Sequence, residues 1–182
     1  MKKFLFLFVI GVHFGLLISC KIHCPEFDKE ILSWIPYQEN DVIELYSQSD
    51  DSEISFSITS VKITHTTHYE RNTKCGGCSD EIFINNYNSD FYVEIYSGDK
   101  SYKIIDTYFL TYSEVKNYLF EGKEYDLVRI FERSRSQGTF LKLIVAKEIG
   151  IIGLIDIHGN SWILKTDATI KKPNILIMKT SC

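Results

Sequence analysis

The sequence predicts a mainly β protein with a minor α contribution. We expect a single curled antiparallel sheet, or half-open barrel, of about seven to nine strands with a short N-terminal helix. Two observations predict this fold. Segments in which apolar and polar residues alternate recur along the chain, and nearly continuous apolar segments follow in its last third. Turn-forming residues separate these segments, and no linker or internal repeat interrupts them, so we predict one domain over residues 25–182.

A short helix is predicted between Cys24 and Pro36. Pro25 suits the first helical position, and the acidic residues of the first turn favour the helix dipole. Pro36 ends the helix because a residue before proline avoids helical geometry. One apolar stripe is formed by Phe27, Ile31, Trp34 and Ile35. We therefore expect this helix to pack on the sheet.

Strands are predicted from Asp41 onwards. The apolar positions of residues 54–58 are even-numbered, whereas those from Val61 on are odd-numbered, which predicts a β-bulge at Thr59–Ser60. Residues 91–96 alternate clearly, and Ser97–Lys100 has the composition of a hairpin turn. The segment from Thr111 to Phe120 is ambiguous and allows one short helix.

A turn at Glu121–Lys123 precedes the apolar last third of the chain. The segments Phe140–Ala146 and Ile149–Ile155 are typical of strands covered on both faces, and we expect the sheet and the N-terminal helix to cover them. Gly150 and Gly153 indicate a bulge or a close backbone approach. A hairpin is predicted at Gly159–Asn160, and residues 175–178 predict an edge strand.

The N-terminus has the pattern of an export signal. Lys2 and Lys3 precede an apolar segment from Phe4 to Ile18, which is too short to span a bilayer as a helix because spanning needs about 20 residues. The segment ends in Leu17-Ile18-Ser19-Cys20, which resembles a bacterial lipobox. The resemblance implies that residues 1–19 form a lipoprotein signal peptide, that Cys20 receives diacylglycerol and palmitate, and that residues 20–24 form the acylated N-terminus.

Removing the first 19 residues, which include Lys2 and Lys3, leaves 163 residues and changes the formal charge from -4 to -6. This acidic balance argues against a nucleic-acid partner, which would require a basic patch. The membrane, reached through the lipid, is the expected partner. Lys21 follows Cys20 without an adjacent acidic residue, and by resemblance to lipoprotein sorting in Gram-negative bacteria this favours the outer membrane over other sites in the cell envelope.

Four cysteines remain besides Cys20, namely Cys24, Cys75, Cys78 and Cys182. An even number in an exported chain indicates disulfides, because the periplasm is oxidising. Four thiols allow three connectivities, and the sequence does not choose among them. We favour Cys75–Cys78, since Gly76 and Gly77 give the chain the freedom that a tight closure needs. Cys24 and Cys182 would then join the two ends of the domain.

The segment Cys75-Gly-Gly-Cys78 also allows a zinc or thiol-redox alternative. Together with His65 and His68 it would supply four zinc ligands. Two histidines three apart on a strand point to opposite faces, and an oxidising compartment would join the two thiols. A redox cysteine would need a helix N-terminus, whereas the residues after Cys78 predict a strand. We therefore favour no metal and no cofactor.

Three stretches, the lipobox, Leu32–Tyr37 and Ile144–Gly153 with the later Gly159–Trp162, resemble small exported lipoproteins of Bacteroidota. The resemblance implies location and fold. A helix with a curled sheet is also similar, at the level of fold, to the LolA/LolB-type half-barrel lipoprotein carriers. Such a fold could hold an apolar pocket, for which the candidate residues are Trp34, Ile151 and Trp162.

Motifs of catalysis and of phosphate or dinucleotide binding are missing from the sequence, so we do not expect an enzyme. The expected function is that of a bacterial envelope lipoprotein, a membrane-anchored domain for binding or envelope maintenance that acts on an envelope protein or an apolar ligand. A purely structural lipoprotein is the first alternative, and a zinc or redox protein is the second.

Overall fold

The computed structural model describes residues 28–68, 77–96, 99–134, 136–165 and 178–179. Within these ranges the chain forms one short helix, α1 (Lys29–Leu32), and eleven strands. The strands are β1 (Val42–Ser47), β2 (Glu53–His68), β3 (Gly77–Asn86), β4 (Phe91–Tyr96), β5 (Asp99–Ile104), β6 (Thr107–Phe120), β7 (Lys123–Arg133), β8 (Phe140–Ala146), β9 (Gly150–Asp156), β10 (Ser161–Leu164) and β11 (Met178–Lys179).

Ten antiparallel strands of the described chain form a closed ring. Neighbours in sequence pair from β2 to β10, and β1 closes the ring because it pairs with both β10 and β2. Strand β11 adds to β2 in parallel, opposite Thr64 and His65. The predicted mainly β fold with a single antiparallel sheet is confirmed. The predicted seven to nine strands were too few, and the sheet is closed instead of half open.

The ring has two ends, which we name by the path of the chain. The entry end carries α1, the start of β1 and the β6–β7 and β8–β9 turns, whereas the far end carries the turns that follow β1, β3, β5, β7 and β9. The larger hydrophobic core fills the interior, since all ring strands from β1 to β9 contribute to it. Its fully buried members include Leu45, Phe91, Val93, Tyr102, Phe131 and Leu143.

The segment that follows α1 inserts into the ring at the entry end. Asp28 caps α1 by accepting a hydrogen bond from the Glu30 amide. The helix ends at Leu32, before the predicted end at Pro36, so it is shorter than predicted. The predicted helical residues 24–27 lie outside the described residues. Trp34 and Ile35 are each 2% exposed but lie after the helix, in an irregular segment. Their burial, not helical packing, explains the apolar pattern.

Tyr37 ties this inserted segment to the sheet. Its hydroxyl accepts a 2.6 Å hydrogen bond from the amide of Ile151, and its ring meets Phe91 edge-on with 6.0 Å between centroids. Burial raises the pKa of Tyr37 above its ordinary value, so the hydroxyl stays neutral. The side chain lies against Gly150, which has a φ of 86°, and a Cβ there would fall 2.7 Å from Tyr37 Cζ. The predicted close backbone approach at Gly150 is confirmed.

A second hydrophobic cluster covers the outer face of β8, β9 and β10. The tip of the β6–β7 hairpin folds over this face, and Phe120 packs on Gly153. The cluster also contains Tyr125, Val128, Ile144, Ala146 and Ile152. The apolar last third is therefore covered on both faces, as predicted. The outer cover is the hairpin tip, whereas the prediction had named the sheet and the N-terminal helix as the two covers.

The segment from Thr111 to Phe120 is a strand, so the short helix that the sequence allowed is not formed. It pairs with β7 over nearly its whole length. Its apolar pattern is unclear because most of these residues are exposed. The pattern is also interrupted at Asn117, which has a φ of 50°, because the partly buried Val115 and Tyr118 on either side are three residues apart and not two. A pattern of this kind fits neither period well.

Several local predictions are confirmed. The register of β2 against β3 shifts between Ile58 and Ser60, which is the predicted bulge. The β6–β7 and β9–β10 hairpins form at the predicted turns, and β4 pairs with β5 up to Tyr96 opposite Asp99. Residues 97–98 of the turn predicted at Ser97–Lys100 lie outside the described residues, and Asp99 and Lys100 belong to β5. Of the predicted edge strand at residues 175–178, only Met178 lies within the described residues, at the start of β11.

The β9–β10 turn is organised by one carboxylate. Asp156 accepts hydrogen bonds from the amides of His158 (2.8 Å) and Asn160 (2.9 Å) and from Asn160 Nδ2 (3.0 Å). Burial alone would raise the pKa of Asp156, but the hydrogen bonds from Asn160 and His158 outweigh it and hold the pKa below its ordinary value. The ionised carboxylate therefore stabilises the folded state.

We expect Asp156→Asn to remove part of the acid sensitivity of the fold. A lowered pKa in the folded state gives stability that is present above the unfolded pKa of about 3.9 and is lost as the pH falls through the folded pKa. Urea unfolding midpoints between about pH 6 and about pH 2.5 should fall less steeply for the variant, which should also lose about 1–2 kcal/mol near neutral pH. An unchanged pH profile would contradict this assignment.

Candidate binding site around Arg129

A polar cluster lies on the inner wall of the ring towards the entry end. We define the Arg129 site as Trp34, Lys100, Tyr112, Glu114 and Arg129. In the ladder Glu114 pairs with Arg129, and Tyr112 pairs with Phe131 of the interior core. Strands β5, β6 and β7 supply four of the residues, and the inserted segment supplies Trp34. The site is therefore built where the inserted segment meets the wall.

Arg129 is the centre of the site. The residue is 8% exposed, and Nε and Nη2 each lie 2.8 Å from Glu114 Oε1. Its guanidinium carbon lies 3.8 Å from the centroid of the Trp34 ring and 4.6 Å from that of Tyr112. A buried charge needs a partner, and aromatic faces attract cations. Glu114 supplies the charge partner, and the aromatic faces come from Trp34 and Tyr112.

The site opens to solvent on the side of β6. The side chain of Glu114 is 45% exposed, and Tyr112 is 37% exposed. Lys100 Nζ donates a 3.0 Å hydrogen bond to the hydroxyl of Tyr112 and lies 5.0 Å from its ring centroid. The cationic and aromatic groups therefore extend from a buried floor at Arg129 to an exposed rim at Lys100.

Tyr102 lies beneath the site. Burial raises the pKa of its hydroxyl above its ordinary value, against the opposing effect of the Arg129 charge. Its ring meets Phe131 at a centroid distance of 4.9 Å. Tyr102 therefore remains neutral and gives the floor an aromatic surface.

One polar atom of the site lacks a partner. Trp34 Nε1 is buried and makes no hydrogen bond to any residue that the structure describes. Buried donors of folded proteins are nearly always paired with protein, water or a ligand. The donor therefore marks a place where a further hydrogen-bond acceptor would be stabilising.

The arrangement is suited to binding. It combines nitrogen donors, an exposed carboxylate and aromatic faces in one cluster. A mixture of apolar surfaces and a few oriented polar groups is the usual composition of small-ligand sites.

The residues predicted to line an apolar pocket occupy the interior core. Trp34 is 2% exposed and lies in the inserted segment. Ile151 is 1% exposed, and its amide donates a hydrogen bond to Tyr37 of that segment. Trp162 lies further along the sheet, opposite Leu154, with its ring 6.1 Å from that of Phe140. The three residue steps from Ile151 to Leu154 correspond to a distance of about 10 Å along β9. The structure gives the three residues a packing role, and Trp34 also contacts Arg129.

The cysteine and histidine predictions are described only in part. Cys20, Cys24, Cys75 and Cys182 lie outside the described residues, so the lipidation and the disulfides stay predictions. His65 and His68 lie in β2, and Cys78 lies in β3 opposite Thr67, so its backbone is extended and not helical. Among the side chains that the structure describes, no group of three or more His, Cys, Asp and Glu residues is placed to hold a metal ion.

Sequence reasoning missed Arg129, Glu114 and Lys100. A usable signal was present, because Arg129 lies between the apolar residues Leu127 and Phe131 on the same, interior face of the predicted strand. A charged residue at an inward position needs a partner, which predicts a buried ion pair. The identity of that partner depends on the β6–β7 register, which the ambiguous pattern of β6 conceals.

Comparisons with protein-family models, with curated proteins and with solved structures each gave no match. In the ranges that the structure describes, the chain has no helix with the length and apolar character needed to cross a membrane. Inference about function therefore depends on the residues of this chain.

Proposed function

We propose that the protein is a bacterial envelope lipoprotein whose domain, anchored through Cys20, binds a ligand or an envelope partner at the Arg129 site. The observation that carries the proposal is the composition of the Arg129 site. A nearly buried arginine lies between two aromatic rings, one of which, Trp34, has a donor with no partner among the described residues, and its neighbours Glu114 and Tyr112 are exposed to solvent. The lipobox supports the anchored location.

A short tether supports a membrane-facing entry end. Seven residues separate Cys20 from Asp28, where the described chain begins. The eight steps from one Cα to the next span at most about 29 Å when fully extended. Lipid chains at Cys20 would keep Asp28, at the start of α1, within that reach of the bilayer surface, since two or more acyl chains give stable anchoring.

The filled interior favours binding at the wall over storage of an acyl chain inside the ring. Inward side chains of nine strands form one packed core. A LolA/LolB-type mode of action would need part of that core to open. The same packing favours the purely structural lipoprotein as the second candidate, which differs from our proposal in having no occupant at the Arg129 site.

The anchor is tested by Cys20→Ala. We expect the variant to be released from washed membranes and the wild-type chain to remain, with a mass that includes diacylglycerol and acyl groups. Cys24→Ala is the matched control, because it removes a neighbouring thiol and keeps the lipidated one. A Cys20→Ala chain that still fractionates with membranes would refute the anchor.

Binding is tested by photo-crosslinking in intact envelopes. A photoreactive phenylalanine analogue replaces Tyr112 in one strain and Tyr108 in another. The two tyrosines lie on the same strand and are 37% and 38% exposed, but only Tyr112 belongs to the site. We expect an adduct from position 112 and none from position 108. Equal adducts at both positions, or none at either, would favour the structural alternative.

A further inference from the structure

We infer that the Arg129 site binds a phosphate group. This inference rests on the proposed binding function and adds the chemistry of the ligand. Lys100 and Arg129 contribute two positive charges to the site, and Glu114 contributes one negative charge. The local balance is therefore positive in a chain whose formal net charge is -4.

The two cations converge on one ring. Lys100 Nζ lies 5.0 Å from the centroid of Tyr112, and the guanidinium carbon of Arg129 lies 4.6 Å from it. Both also come from inward positions of the wall, since Lys100 pairs with the buried Ile95. A single anionic group seated beside Tyr112 could contact both cations.

Free donor capacity remains in the site. Arginine carries five N–H donors, and Glu114 Oε1 accepts from two nitrogens, Nε and Nη2. Lysine carries three donors, of which the hydroxyl of Tyr112 accepts one. Trp34 Nε1, which has no partner among the described residues, is a further donor on the ring that Arg129 contacts. The planar fork of arginine matches the oxygens of phosphate, and burial strengthens such charge-assisted bonds.

Glu114 holds Arg129 in the way that an anionic ligand would. Because its carboxylate is 45% exposed, Glu114 can rotate into solvent, and the buried charge of Arg129 then needs another anion as its partner. A phosphate would take its place. Glu114 is therefore a competitor of the ligand, and removal of its charge should strengthen phosphate binding.

The phosphate could belong to a lipid head group or to a soluble phosphate ester, and both offer the same chemistry to the site. The test uses the full-length chain in a non-ionic detergent. Isothermal titration measures three probes: inorganic phosphate, glycerol 3-phosphate and monomeric dihexanoyl-phosphatidylglycerol. Tighter binding of the lipid than of the other two identifies the head group as the source, and equal or weaker binding identifies a soluble phosphate.

Three variants separate a binding role from a structural one. We expect Lys100→Gln to weaken phosphate binding about tenfold, because it removes a charged donor, and Glu114→Gln to strengthen it several-fold, because it removes a competing negative charge. Lys103→Gln is the matched control, since Lys103 lies on the same strand but pairs with the exposed Tyr108. Its affinity should not change. Effects of opposite sign at Lys100 and Glu114 are not expected from a general loss of stability.

The indole N–H resonance of Trp34 gives a direct readout. Only two tryptophans are present, so Trp162→Phe assigns the two indole signals. We expect phosphate to shift the Trp34 signal and acetate at equal concentration to leave it unchanged. Absence of binding by all three probes, weaker binding after Glu114→Gln, or an equal response to acetate would overturn the inference. A crosslink at position 112 would in that case still support the binding function.

Discussion

Trp34→Ala should lower the free energy of unfolding by about 3–5 kcal/mol, the range for removing a large buried aromatic side chain. Trp34 is 2% exposed and lies in the interior core. Its replacement would leave a cavity at the entry end and would remove the ring that lies 3.8 Å from the guanidinium carbon of Arg129. Among the described residues, Tyr112 would then be the remaining aromatic partner of Arg129.

Two further variants test the cause of this loss of stability. Trp34→Phe keeps an aromatic face for Arg129 and removes a donor that has no partner among the described residues, so its cost should be clearly smaller. Trp162→Ala should also cost less, because Trp162 is only half-buried. The measurement is urea unfolding followed by circular dichroism. A loss below about 1 kcal/mol for Trp34→Ala would show that the inserted segment is not part of the core.

Gly153→Val should destabilise the protein by about 1–3 kcal/mol, or more, through overpacking. A Cβ at this position would overlap the ring of Phe120 and would lie 2.7 Å from the backbone oxygen of Trp162. The aromatic ring can move, but the backbone oxygen belongs to the β9–β10 ladder and cannot move without breaking it. The expected result is a lower thermal midpoint together with exposure of the β6–β7 hairpin to proteolysis.

A double-mutant cycle with Phe120→Ala tests the cause. The two effects should be less than additive, because residues in contact share their interaction energy. Gly159→Ala is the control: a Cβ there meets no atom within 4 Å, so only the φ of 85° opposes it, at about 1–2 kcal/mol. Strict additivity of Gly153→Val and Phe120→Ala would show that the hairpin tip does not pack on Gly153.

Local chemistry explains which parts of the fold were predictable. The bulge between Ile58 and Ser60 was found because a change of apolar phase is visible within one strand. The hairpin turns were found because their residues have strong conformational preferences. Closure of the ring was missed because it depends on β1 pairing with β10, and such non-local pairing leaves no mark in the pattern of either strand.

The hairpin tip and the site were missed for related reasons. Between Thr111 and Phe120 most side chains are exposed, so no alternation distinguishes strand from helix. Without the register of β6 against β7, Glu114 could not be matched with Arg129. The tryptophan at position 34 was recognised as buried, but its contact with a cation depends on the path of the segment after α1.

Closure of the ring also affects how readily other chains can add to the sheet. A sheet with free sides presents rows of unpaired amides on which another chain can assemble, and proteins guard such sides with charges, bulges or covers. Here β1 is bonded to a neighbour on each side, so each of the ten strands that form the described circuit has a neighbour on both sides. Closure therefore protects the strands where they are paired on both sides, whereas among the described residues β6 beyond Phe109 is paired only with β7.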